Sequence, residues 1–300
     1  MEPQRRHVEI APPYDFKRTV SRQSLWGGGP CARWVQGALW RATWTPQGPA
    51  ATGYRRTDSG VEVQSFGPGA SWAIDTAPEL LGAHDDPSSF QPSHPLLKDL
   101  HARSMGLRFG KTQLMLDRLL PVIIGQKVTA VGAKGSWKDL VWEYGEPAPG
   151  PIEHLRLPPH PEVLADVPAF RLVACNIEGK RAAVLKEACR RHRRLEEAAS
   201  MTSAQALQRL QALRGIGVWT ATLTVSVTHG DPDIPWIGDY HLPNAVSWHL
   251  AQEPRGDDER MLELLEPFAP HRGRALFLLK MAGRAPRYGP KTDVRNIRGD

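Results

Sequence analysis

Residues 201–239 concentrate the side chains and turns whose types and spacing could do chemistry. Thr202 followed by Gln205 is a capping-box start, and Ala206, Leu207, Leu210 and Leu213 give the helix it opens one apolar side. Leu213-Arg214-Gly215-Ile216-Gly217-Val218 interrupts that helix, and Trp219-Thr220-Ala221 begins a second run. Two glycines around one isoleucine predict a tight turn between helices. The glycines permit unusual dihedrals and close approach, while Ile216 plugs the space between the helices. With no side chain in the way, the amides of the turn and of the next helix's first turn could face an anion, a DNA phosphate being the natural one. The same pattern also serves as a plain turn. Asp239 follows about twenty residues later, after Ile234-Pro235-Trp236-Ile237-Gly238, where it is suited to cap a helix opening near Tyr240.

These residues need a scaffold, and from residue 94 onward the pattern is helical. Leu116, Leu119, Leu120 and Ile123 recur at helix spacing before Gly125, and Trp137, Leu140, Val141 and Tyr144 repeat it. Six prolines between residues 146 and 162 predict an extended connection. Residues 180–199 read as one helix with Val184, Ala188 and Leu195 on one side; its Arg190-Arg191-His192-Arg193-Arg194 stretch could face phosphates or simply solvent. Residues 221–228 carry a conflict. Leu223, Val225 and Val227 alternate with Thr222, Thr224, Ser226 and Thr228, a strand period, whereas the hairpin context asks for a helix, which is the expectation here.

The first ninety residues differ. Stretches 33–45 and 51–66 are rich in Trp, Val and Thr, and Gly27-Gly28-Gly29 and Thr57-Asp58-Ser59-Gly60 supply turn signals. Val61, Val63 and Ser65 alternate with Glu62 and Gln64. An antiparallel sheet is predicted, with a helix near residues 77–83 and a proline- and serine-rich linker at 85–95.

Leu213-Arg214-Gly215-Ile216-Gly217-Val218-Trp219-Thr220-Ala221, then Ile234-Pro235-Trp236-Ile237-Gly238-Asp239, resembles the helix–hairpin–helix Gly/Pro-Asp (HhH-GPD) DNA glycosylase superfamily, most closely its 3-methyladenine DNA glycosylase II, or alkylbase, branch. Ile123-Ile124-Gly125-Gln126-Lys127-Val128-Thr129 is similar to a helix junction of that family, and residues 266–275, with Arg272 and Arg274, to its late proline/arginine motif. His94-Pro95-Leu96-Leu97 and Pro13-Tyr14-Asp15 match more loosely. The resemblance covers residues 94–285 well and the N-terminal region loosely.

The resemblance implies that a damaged nucleotide is flipped into a pocket and its N-glycosidic bond hydrolysed, with Asp239 as the catalytic carboxylate stabilising an oxocarbenium-like sugar. Gly215, Ile216, Gly217, Gln126, Lys127, Arg272 and Arg274 become the candidate DNA contacts, and Trp219, Trp236 and Tyr240 the candidate base pocket. Trp219 stands where relatives that also nick the strand carry a Schiff-base lysine, so a monofunctional enzyme without lyase activity is expected. An indole could stack on a cationic alkylated purine, the expected substrate; Trp219 could equally be core. Lys127 departs from the apolar residue that wedges into the helix gap in the family, Leu223 from an aromatic pocket residue, and Tyr240-His241 from the commonest continuation. The resemblance also allows a structural monovalent cation at the hairpin carbonyls of Leu213 and Ile216.

Composition is compatible with this reading and excludes others. A net charge of +6 mildly favours a polyanionic partner. No apolar run approaches the roughly 20 residues of a membrane span, since Ala275-Leu276-Phe277-Leu278-Leu279 ends at Lys280. Three scattered cysteines make neither a disulfide framework nor an iron–sulfur site, and the eleven histidines show no metal-ligand pairing. The expectation is an α+β protein: a β-rich domain in residues 1–93, then a mostly helical core in residues 94–300, in two lobes around a cleft, with a basic C-terminal tail. It would act as a monomer on double-stranded DNA containing damaged bases, in a bacterial cytoplasm near the nucleoid, without cofactor or membrane. Two other readings stay open: a non-catalytic helix–hairpin–helix DNA-binding protein, and a glycosylase for deaminated bases.

Overall fold

A computed structural model describes residues 2–283 and 286; the basic tail expected beyond them lies outside the described residues. Five strands form one antiparallel sheet in the order β1-β5-β4-β3-β2: β1 Gln4–Glu9, β2 Ala32–Val35, β3 Ala38–Thr45, β4 Gly48–Arg56 and β5 Gly60–Phe66. The alternation in β5 is realised, Val61 and Val63 being buried and Glu62 exposed. The edge strand β1 was not anticipated. Its charged run Gln4-Arg5-Arg6-His7 offers no alternation on an exposed edge, and only Val8 faces the core. Helices α1 Phe16–Ser21, α2 Ala70–Asp75 and α3 Ala77–Leu80 accompany the sheet.

The helical part runs through α4 Pro95–Ala102, α5 Met115–Ile124, α6 Ala130–Tyr144, α7 Pro161–Asp166, α8 Ala169–Ala174, α9 Gly179–Arg190, α10 His192–Glu196, α11 Ser203–Gln211, α12 Val218–Thr228, α13 Leu242–Ala251, α14 Asp258–Leu265 and α15 Arg272–Met281. None of the helices is long and apolar enough to cross a membrane. The single helix expected over 180–199 is broken at Arg191, whose dihedrals (φ −102°, ψ 16°) leave the helical region. Glu196, beyond the break, thereby accepts the Met115 and Leu116 amides at 2.8 Å, satisfying orphan donors at the start of α5.

The strand-like alternation over 221–228 folds as α12. Every residue from Thr220 to Thr228 is buried, so no helical face period is left to read. Two of the alternating hydroxyls are satisfied locally: Thr222 and Thr224 donate back to the carbonyls of Val218 and Thr220, at 2.9 and 2.7 Å.

The segment 85–95 is not a loose linker. Pro87 and Phe90 are buried, and Asp85 accepts from buried Arg274 at 2.5 Å and from the Phe109 amide at 2.8 Å. Further ties between sheet and helices are Arg41–Asp117 at 2.9 Å and the Trp44 indole to the Pro158 carbonyl at 2.8 Å.

Candidate functional site

The turn between α11 and α12 is built by Gly215 more than by Gly217. Gly215 has φ +94°, and a Cβ there would overlap the Val184 side chain of α9. Gly217 has an extended backbone (φ −90°, ψ −178°) with open space where a Cβ would point. Ile216 and Leu213 are buried beneath the turn. No side-chain cap bonds the start of α12 among the described residues, as its N-cap residue is Gly217. The Leu213 carbonyl accepts the Ile216 amide at 3.0 Å; a cation held there would use that oxygen's second lone pair.

Asp239 reaches this turn because Gly238 has no side chain. A Cβ on Gly238, which sits at φ +81°, would lie 3.2 Å from Trp219 Cβ and 3.5 Å from Val218 Cγ1, so the backbone just before Asp239 rests on the first turn of α12. Asp258 holds the Gly238 amide with both carboxylate oxygens at 3.0 Å. Asp239 Oδ1 accepts the amides of His241 and Leu242 at 2.8 and 3.0 Å, capping α13 and leaving Oδ2 outside the cap.

Beside it, Trp219 is half-buried against the core cluster that contains Trp236 and Leu223. Trp236 is buried and pinned by its indole N–H to Ser226 Oγ at 2.9 Å. Tyr240, expected in the pocket, is 70% exposed and edge-on to His241.

The expected DNA contacts divide. Lys127 is exposed at the α5–α6 junction, in the left-handed region at φ +54°. Gln126 instead works inside the protein: its amide donates to Gly215 O and Thr220 Oγ1, both at 2.9 Å, tying that junction to the hairpin. Arg274 must be corrected outright. Its guanidinium is 2% exposed, paired with Asp85 and 4.3 Å from the Phe109 ring centroid, so it cannot meet a duplex. Arg272 is half-buried and held by Asp233 at 2.5 Å and Glu266 at 2.8 Å, which uses three of its five N–H donors within the chain. An arginine motif reads alike whether it faces solvent or acids of its own chain.

Three cations near the site were not among the expected residues. Lys280 Nζ lies 4.7 Å from the Trp236 ring centroid, and Asp239 is close enough to support its charge. Loss of hydration still lowers its pKa, with Arg118 and Arg22 adding to the fall, although the side chain keeps an exposed side. Burial also pushes Arg22 and Arg118 down, each to about 9, which leaves both charged at neutral pH. The only signals in the sequence were a lysine ending the apolar run 275–279 and an arginine amid the leucines of α5. A depression of about 540 Å³ lies elsewhere, against Tyr14, Phe16, Lys17, Trp34 and Arg56.

No family model and no curated protein matches the sequence. Solved structures do. A 3-methyladenine DNA glycosylase from Archaeoglobus fulgidus aligns over 92% of this chain and 96% of its own, with TM-score 0.76 and 19% identity. MBOgg1 in complex with a low-affinity DNA ligand aligns over 94% and 100%, with TM-score 0.72 and 15% identity. The 8-oxoguanine glycosylase/lyase of Clostridium acetobutylicum aligns over 93% and 96%, with TM-score 0.67 and 15% identity. The fold is that of these DNA glycosylases. It spans the sheet as well as the helices, so the loosely matching N-terminal region belongs to the shared architecture.

Proposed function

We propose that this protein is a DNA glycosylase that flips a damaged nucleotide into a cleft beside α12 and hydrolyses its N-glycosidic bond with Asp239. The observation that carries the reading is the contact of Gly238 with Trp219, which brings the backbone next to Asp239 against the hairpin's outgoing helix. The uncapped amides of α12 and Lys127 grip phosphate; Val128 and Val131, exposed at the same junction, offer the apolar tip that Lys127 does not. As the C1′–N bond breaks, Oδ2 of Asp239 faces the positive sugar and takes a proton from the water whose oxygen bonds C1′. Trp219 in the first turn of α12 supplies no amine there, so the reaction ends at an abasic site. The resemblance names alkylated purines as substrate; a second reading, an uncharged base, is favoured by Lys280 on Trp236.

The test is base release from duplexes carrying alkylated, oxidised or deaminated bases, wild type beside Asp239→Asn. Release abolished by the substitution supports the enzyme. Tight duplex binding without release from any lesion would leave a non-catalytic DNA-binding protein. Borohydride should trap no protein–DNA adduct; an adduct that disappears in Lys280→Met makes Lys280 a nucleophile and ends the purely hydrolytic reading.

A further inference from the structure

We propose that the pocket beside Asp239 reads an uncharged base that turns oxygen acceptors inward, an oxidised or deaminated one, and that Lys280 is the reading group. The inference rests on the glycosylase reading and names its substrate class.

Trp236, three residues before Asp239, is already covered by the Lys280 ammonium at 4.7 Å from the ring centroid. Any base that stacks there meets a fixed cation before anything else. The cations behind it are buried with few hydrogen-bond partners. Arg22 is 7% exposed, with its guanidinium carbon 3.5 Å from the Phe109 ring centroid and 5.4 Å from that of Phe277; its Nε and Nη1 are buried with no hydrogen-bond partner among the described residues. Arg118, 4% exposed, donates Nε to the Leu223 carbonyl at 3.3 Å. Phe109, Phe277 and Trp236 join these groups edge to face, at 5.9 and 6.3 Å.

The neighbouring carboxylates are spent. Asp85 is paired with Arg274 and also lies near Arg22, Asp117 is paired with Arg41 and also lies near Arg118, and Asp239 is the carboxylate that supports Lys280. A purine made cationic by alkylation would enter a pocket that already holds an excess of positive charge. A carbonyl oxygen would find an ammonium donor. An uncharged base also leaves with the electron pair of the broken C1′–N bond, so its charge turns negative until the proton that Asp239 takes from the attacking water is passed to it. Lys280 stabilises that charge, while Asp239 stabilises the sugar.

The experiment is single-turnover base release by the full chain from duplexes holding 8-oxoguanine, hypoxanthine, uracil or the cationic 7-methylguanine. At least one uncharged base should leave about tenfold faster than 7-methylguanine, and the separate arms tell an oxidised substrate from a deaminated one. Lys280→Met should lose about a hundredfold on that base yet release 7-methylguanine as fast as wild type or faster, while Lys280→Arg keeps the wild-type ranking. A wild type that prefers 7-methylguanine, or a Lys280→Met that slows every lesion equally, overturns the inference and leaves the glycosylase standing. No release of any base sinks both.

Discussion

Asp239 braces the start of α13 through Oδ1, and substitution can separate that job from the catalytic one proposed for Oδ2. Asp239→Asn keeps an acceptor for the His241 and Leu242 amides, so thermal stability should stay close to wild type while base release falls by a factor of about 10²–10³. Asp239→Ala removes the cap as well and should cost about 1 kcal/mol of stability besides, read as a lower urea midpoint. A mutant that loses stability equally with Asn and Ala would mean that charge, not the cap, holds the turn. Both roles were open in the sequence, because aspartate before a helix is what a cap needs and also what the resemblance required. The space around the residue was not legible: no spacing rule reveals that Gly238 rests on Trp219, or that Lys280, some forty residues on, returns to the same place.

At the scale of elements, the two hairpin glycines should behave differently. Gly215→Ala forces a Cβ into Val184 at a positive φ and should destabilise folding by about 1–3 kcal/mol. Gly217→Ala meets nothing inside the protein and should change stability by less than about 1 kcal/mol, but a methyl on the outer face should weaken duplex binding about tenfold, measured by fluorescence anisotropy. The start of α5 carries a pH dependence. Burial raises Glu196 from an ordinary value of 4.5 to about 7, against the pull of the Leu116 and Met115 amides. Its contribution is full below pH 4.5 and is lost as pH rises through about 7. His101 and His271, lowered by burial, act in the opposite sense. The melting temperature of wild type should therefore fall relative to that of Glu196→Gln between pH 5 and 8; parallel curves would disprove the assignment. Helix spacing made α5, α6 and α11 legible. α12 was not legible by period, since complete burial erases it, and only its neighbour the hairpin argued for a helix.

For the whole molecule, the sheet and the helices are locked by buried ion pairs that link residues far apart in sequence. Asp85→Asn leaves Arg274 without a counter-charge at 2% exposure, and should cost about 3–5 kcal/mol in denaturant unfolding. Adding Arg274→Met should restore part of the loss; strict additivity would mean the two do not act as a pair. This contact explains why a proline- and serine-rich stretch was misread as a linker, as composition records neither the distant arginine nor the buried Phe90. The antiparallel sheet was legible in its inner strands and not at its charged edge. Gln126 has a mechanical consequence at this scale. One side-chain amide fastens the α5–α6 junction to both Gly215 and Thr220, so a strand held at the hairpin and an apolar tip pressed between bases would travel as a single jaw, its gap preset before any duplex arrives.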